Sequence, residues 1–131
     1  MSTIGHPLSD LINLTTPYHL QESSLNFSSS SIRTSPQFAP GAQPGLPTRE
    51  QLIRWYGEVA GWDASPDLKW GIAFGFFRAT CILQGIAARW AVRQASSEKA
   101  RDNAEGRHPM GELAWESVIK AREESRDRAK L

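Results

Sequence analysis

Residues 70–92 read "WGIAFGFFRATCILQGIAARWAV", and the placement of this stretch decides the fold. It is apolar and long enough to cross a bilayer at a helical rise of about 1.5 Å per residue. Arg78 near its middle, followed by Gln84 and Arg89, argues against that. An Arg at the bilayer centre costs roughly 2.5–3.5 kcal/mol even on the lenient insertion scale. The stretch is therefore expected to be the buried core helix of a soluble chain, running over residues 66–95. "SPDLKW" (65–70) marks its start, with Ser65 as cap and Pro66 in the first turn.

On a helix, Gly71, Gly75, Arg78, Ile82, Gly85 and Arg89 share one stripe. Trp70, Phe74, Phe77 and Cys81 share an adjoining apolar one. Each glycine costs about 1 kcal/mol of helix propensity against Ala, a cost that makes sense where another backbone packs closely. Arg78 in such a contact calls for a carboxylate or carbonyl partner. Two readings compete. In one, Arg78, Gln84 and Arg89 belong to an acceptor site or orient an active-site loop. In the other, Arg78 forms a structural pair with Asp10 or Glu58, the usual fate of a lone Arg in a core helix. Cys81 reads as packing, and the core is expected around Trp55, Trp70, Phe74, Phe77 and Trp90.

Outward from the long helix the chain continues as all-α. "PLSDLINLTTPYH" (7–19) predicts a first helix, with Pro7 in its first turn and Pro17 ending it. Residues 20–47 are rich in Ser, Pro and Gly without periodicity and read as a long flexible loop. At "PTREQLIRWYGEVAGW" Thr48 is an N-cap, Gln51 completes a capping box and Gly61 supplies the stop. Residues 48–131 form the helical core. A short helix capped by Ser96 or Ser97 ends at Gly106, the His108-Pro109 pair breaks the chain, and a last helix covers 111–128.

The bulk numbers bound the function classes. A chain of 131 residues, 40% hydrophobic and 22% charged, has room for one domain. A net charge of +1 gives no electrostatic reason to expect nucleic acid. The densely charged tail is balanced in sign and reads as a solvated helix face. One cysteine allows no internal disulfide. His6, His19 and His108 lack ligand spacing, and neither a phosphate-binding Gly-rich loop nor a nucleophile elbow occurs. These residues hold no catalytic constellation and no metal set.

Two stretches together carry a resemblance. Gly5-His6-Pro7-Leu8-Ser9-Asp10-Leu11 matches a G-D-P-L-x-D-L segment. Phe74 to Arg78, then Gln84-Gly85-Ile86 and Arg89, matches an F-x-x-F-R helix with Q-G-I beyond it. With "LPTREQLIRWYGEVAGW" between them, the chain resembles the C-terminal lobe of the aminoglycoside-phosphotransferase-like enzymes. The branch is the one related to the kinase-like part of certain acyl-CoA dehydrogenase fusion proteins. The resemblance implies a helical C-lobe fragment of a protein-kinase-like fold, a single partial domain over 1–131. It implies ATP and Mg²⁺ as the family's cofactors, with none held by this chain, and phosphoryl transfer to a hydroxyl of a small metabolite. The family's nucleotide lobe, H-x-D loop and D-W-E motif precede the segment matched here, so the fragment is expected to be inactive alone. Asp10 would support the catalytic loop or, without it, cap its own helix. His6 departs from the family's Asp.

The expected partners are the N-terminal catalytic segment or an intact relative, with self-association and marginal stability if neither is present. A stand-alone binding module and a truncated product without activity are the alternatives. The final Ala129-Lys130-Leu131 is a variant of the S-K-L address, which predicts peroxisomal localisation through the import receptor; a cytoplasmic location is the alternative.

Overall fold

The computed structural model describes residues 5–23 and 36–130. Its order is α1 (Pro7–Gln21), a 3-10 turn (Pro36–Phe38), α2 (Arg49–Ala60), α3 (Leu68–Ala91), α4 (Ala100–Glu105) and α5 (Arg107–Ala129). No strand occurs among the described residues, so the expected all-α class holds.

Local signals explain α2 fully. The Thr48 side chain accepts from the Gln51 backbone while Gln51 Oε1 accepts from the Thr48 N–H at 2.8 Å, the reciprocal capping box. Gly61 ends the helix at φ 63°, a left-handed conformation only glycine adopts freely. Elsewhere the boundaries differ from expectation. Pro17 does not end α1, which runs on to Gln21 because Tyr18 and His19 are buried and hold the next turn in place. Leu20 and Gln21 are thus helical and not part of the loop. Within 36–47, Phe38 meets the Tyr18 ring edge-on at 5.1 Å, and Tyr18 donates its hydroxyl to the Pro47 carbonyl at 2.8 Å.

Ser65 does not cap α3; it lies in a turn where its N–H bonds Asp63 Oδ1, and the helix begins at Leu68. It stops at Ala91 because Arg93 takes a left-handed conformation (φ 57°) and the Gln94 N–H returns to the Arg89 carbonyl at 2.8 Å. Neither Ser96 nor Ser97 caps α4, which starts at Ala100 after Lys99. His108-Pro109 is no break. Both lie in the first turn of α5, where a missing proline N–H leaves no helical bond unmade.

The core sits where α3 meets α5. Phe76 packs with Met110, Leu113 and Ala114, and Leu20, Ile72, Ala79 and Leu83 cover the cluster. Much of the remaining buried apolar surface is alanine: Ala64, Ala73, Ala100, Ala104 and Ala121. This overturns the expected core, since Trp55, Trp70, Phe74, Phe77 and Trp90 are all exposed. Alanines let helix backbones approach closely, and the large aromatic rings are left on the outside. Nor is α3 a buried helix: only Gly71, Ala73 and Phe76 of it are buried. By length and composition it is the one described helix that could cross a membrane.

Candidate functional site

The start of α1 lies along the first half of α3. His6 is the N-cap of α1, its Nδ1 accepting from the Leu8 N–H at 3.2 Å, so the histidine performs the capping that an aspartate would perform there. Its ring stands edge-on to Trp62 at 5.2 Å. Tyr56 of α2 donates to the Pro7 carbonyl at 3.2 Å and ties α2 to the same corner.

Gly71 and Gly75 earn their places in this contact. A Cβ at Gly71 would stand 2.8 Å from Leu8, and one at Gly75 would stand 2.5 Å from Ile12. The close approach expected of the glycine stripe is real, but its partners are α1 side chains. Gly85 meets nothing within 4 Å.

Beside these glycines is a groove of about 200 Å³, lined by His6, Leu8, Trp70 and Phe74, with Ser9 and Arg78 at one end. Arg78 Nη1 donates to Ser9 Oγ at 3.1 Å, and Nη2 donates to Asn13 Oδ1. The expected pair with Asp10 or Glu58 is therefore corrected. Asp10 is exposed, and Glu58 lies 3.7 Å from Arg54. Asp10 does not cap α1 either, because His6 does. Among the described residues no carboxylate forms an ion pair with Arg78, and its half-buried charge is met by neutral oxygens alone. Ser9 and Asn13 stand four residues apart on one face of α1, the spacing that could have flagged them as a joint partner.

Gln84 and Arg89 are exposed and do not line the Arg78 groove. Of the Ala129-Lys130-Leu131 tripeptide, Ala129 ends α5 and Lys130 reaches Asp127 at 3.1 Å; Leu131 lies outside the described residues. Cys81, expected to pack, is exposed.

The apolar stripe of α3 continues the groove. Trp70 and Phe74 also border a second hollow of about 360 Å³ between α3 and α5, together with Phe77, Trp115 and Val118. Trp70 is 42% exposed, Phe74 58%, Phe77 57% and Trp115 61%. Trp70 Nε1 donates to Ser125 Oγ at 3.2 Å, and Lys69 reaches Glu124 at 3.1 Å, so α5 fixes one border of this face. The exposure of Trp115 depends on how α5 turns against α3.

His19 is buried, and its place in the sequence carries no signal of this. Thr15 donates its hydroxyl to the Leu11 carbonyl at 2.9 Å, so its oxygen is left to accept from His19 Nε2 at 3.1 Å. That geometry places a proton on Nε2. Burial, reinforced by the Arg49 charge and opposed by Glu50, lowers the His19 pKa from 6.5 to about 4.

Among the described residues no three His, Cys, Asp or Glu side chains stand together as a metal set. No step of phosphoryl transfer is assigned to the residues present. What the arrangement offers is a broad apolar face with one arginine charge at its edge.

No protein-family model and no solved structure matches the chain. Curated proteins do match. The chain is similar to a segment of acyl-CoA dehydrogenase family members 10 and 11. Mouse (Mus musculus) acyl-CoA dehydrogenase family member 10 is 32% identical over 120 residues, covering 92% of this chain and 11% of that protein. Rat (Rattus norvegicus) family member 11 is 32% identical over 117 residues, covering 86% of the chain and 14% of that protein. The human family member 11 is 31% identical over 102 residues. The chain thus spans little more than a tenth of the length of the relatives it matches.

Proposed function

We propose that this chain is the helical C-terminal part of a kinase-like phosphotransferase. On this reading it forms the floor and one wall of the acceptor site and is not catalytic alone. The observation that carries the proposal is the similarity, along 92% of the chain, to family member 10. The ordered Gly-x-Pro-Leu-x-Asp and Phe-x-x-Phe-Arg motifs resemble the C-lobe of aminoglycoside-phosphotransferase-like enzymes, and the all-helical structure agrees with such a lobe. ATP and Mg²⁺ would be held by residues outside this chain. The relatives are named for acyl-CoA chemistry, which favours an acyl-derived metabolite as acceptor over an aminoglycoside. Self-association or docking on an intact relative would follow from the exposed aromatic face.

The test begins with the coding DNA immediately upstream of the Met1 codon. An in-frame H-x-D followed by D-W-E is expected. The longer polypeptide should then transfer phosphate from ATP to hydroxy-acyl acceptors, while the 131 residues alone should neither do so nor gain thermal stability from ATP and Mg²⁺. An in-frame stop or an unrelated sequence would overturn the phosphotransferase reading. The second reading, a stand-alone helical binding module, would then take over; the Arg78 groove and the aromatic hollow beside it favour it.

Peroxisomal targeting is a separate proposal, resting on Ala129-Lys130-Leu131. A fluorescent protein fused to the N-terminus should collect in peroxisomes and become diffuse when Leu131 is deleted. A diffuse signal with the C-terminus intact would remove the proposal.

A further inference from the structure

The face made by Trp70, Phe74, Phe77 and Trp115 is contiguous, because Trp70 and Phe74 border both the Arg78 groove and the α3–α5 hollow. Contiguous exposed aromatic surface on a small chain marks a contact surface, and two features of this one narrow what it contacts. The first is charge. Arg78 stands at the edge of the face, half-buried, and among the described residues only the Ser9 hydroxyl and the Asn13 amide oxygen accept from it. A guanidinium in apolar surroundings gains most from a carboxylate, and its planar fork takes one bidentately. The second is the surroundings of the equivalent helices in the relatives. The matched stretch is 11% of the mouse family member 10 and 14% of the rat family member 11, so in those proteins these helices belong to a much longer polypeptide.

We infer that this face is the docking surface for a polypeptide segment carrying an Asp or Glu beside aliphatic or aromatic side chains, supplied by the polypeptide that flanks the matched stretch in proteins of this kind. The carboxylate pairs with Arg78 while its apolar neighbours cover Phe74, Phe77 and Trp115. The inference deepens the phosphotransferase reading and rests on it for the identity of the flanking polypeptide. It adds the recognition chemistry: an acid-to-Arg78 contact sets register and the aromatic face supplies area.

The test uses the full 131-residue chain and 20-residue peptides tiled across mouse acyl-CoA dehydrogenase family member 10 outside the matched stretch. Tryptophan fluorescence reports binding, since Trp70 and Trp115 lie on the face. The expected result is that at least one peptide with an acid flanked by apolar residues binds, and that Arg78→Glu weakens it tenfold or more. The same peptide with its acid replaced by Lys should recover affinity for Arg78→Glu. Phe77→Asp, at a position that is already exposed, should abolish binding with the helical circular dichroism unchanged. Absence of any binding peptide overturns the inference, as does binding indifferent to the charge swap. A dimer of the chain that Phe77→Asp breaks and Arg78→Glu leaves intact would also overturn it, by assigning the face to a second copy. Failure of the phosphotransferase reading shows elsewhere, as a longer polypeptide that binds through this face yet transfers no phosphate.

Discussion

Phe76 and Phe77 are neighbours on α3 and share one chemistry, yet Phe76 is packed by Met110, Leu113 and Ala114 while Phe77 is 57% exposed. About 100° of helical rotation separates them. The packed side is the seam with α5 and is dominated by alanines and medium-sized side chains. The open side carries Trp70, Phe74 and Phe77 with Trp115 across from them. Residue size is therefore a poor guide to burial here. Close helix packing rewards small residues, and the large rings beside the seam are left largely in water.

The sharpest way to break this contrast is Phe76→Ala. Emptying a packed aromatic site should cost about 3–5 kcal/mol, whereas Phe77→Ala should stay within about 0.5 kcal/mol, both read by urea denaturation. Equal losses would mean that the aromatic face is buried in solution.

A second test moves from rings to glycines. Gly75→Ala puts a methyl group 2.5 Å from Ile12 and should destabilise the chain by about 1–3 kcal/mol despite the better helix former. Gly85→Ala enters open space and should stabilise by up to about 1 kcal/mol. Together they ask whether α1 rests on α3 as described.

The third concerns acid. Because folding holds the His19 pKa at about 4 against 6.5, the unfolded chain binds the extra proton between those values. Stability should therefore be full above pH 6.5 and fall as the pH drops towards 4, by at most about 3 kcal/mol. A pH series of thermal midpoints checks this, and His19→Gln should flatten the slope. The smallest expected effect is Thr48→Ala, which removes one half of the α2 capping box and should cost about 1 kcal/mol.

The same contrast shows what the residues disclose unaided. The α2 helix was legible from Thr48, Gln51 and Gly61 because caps act within one turn and need no tertiary partner. The closeness signalled by Gly71 and Gly75 was legible too, although the same signal at Gly85 corresponds to open space. The continuation of α1 through Pro17 was not, because buried Tyr18 and His19 hold that turn through contacts distant in sequence. The partner of Arg78 was misread for the same reason. Which side of α1 faces α3 is decided by packing, and it presents Ser9 and Asn13 where Asp10 was expected.

The most direct test of the docking face is hydroxyl-radical footprinting of the 131-residue chain, with and without the polypeptide that flanks the matched stretch in mouse acyl-CoA dehydrogenase family member 10. The account predicts that Phe74, Phe77 and Trp115 are readily oxidised in the chain alone and strongly protected in the mixture, with Phe76 slow in both. Unchanged oxidation of those three side chains in the mixture would contradict it.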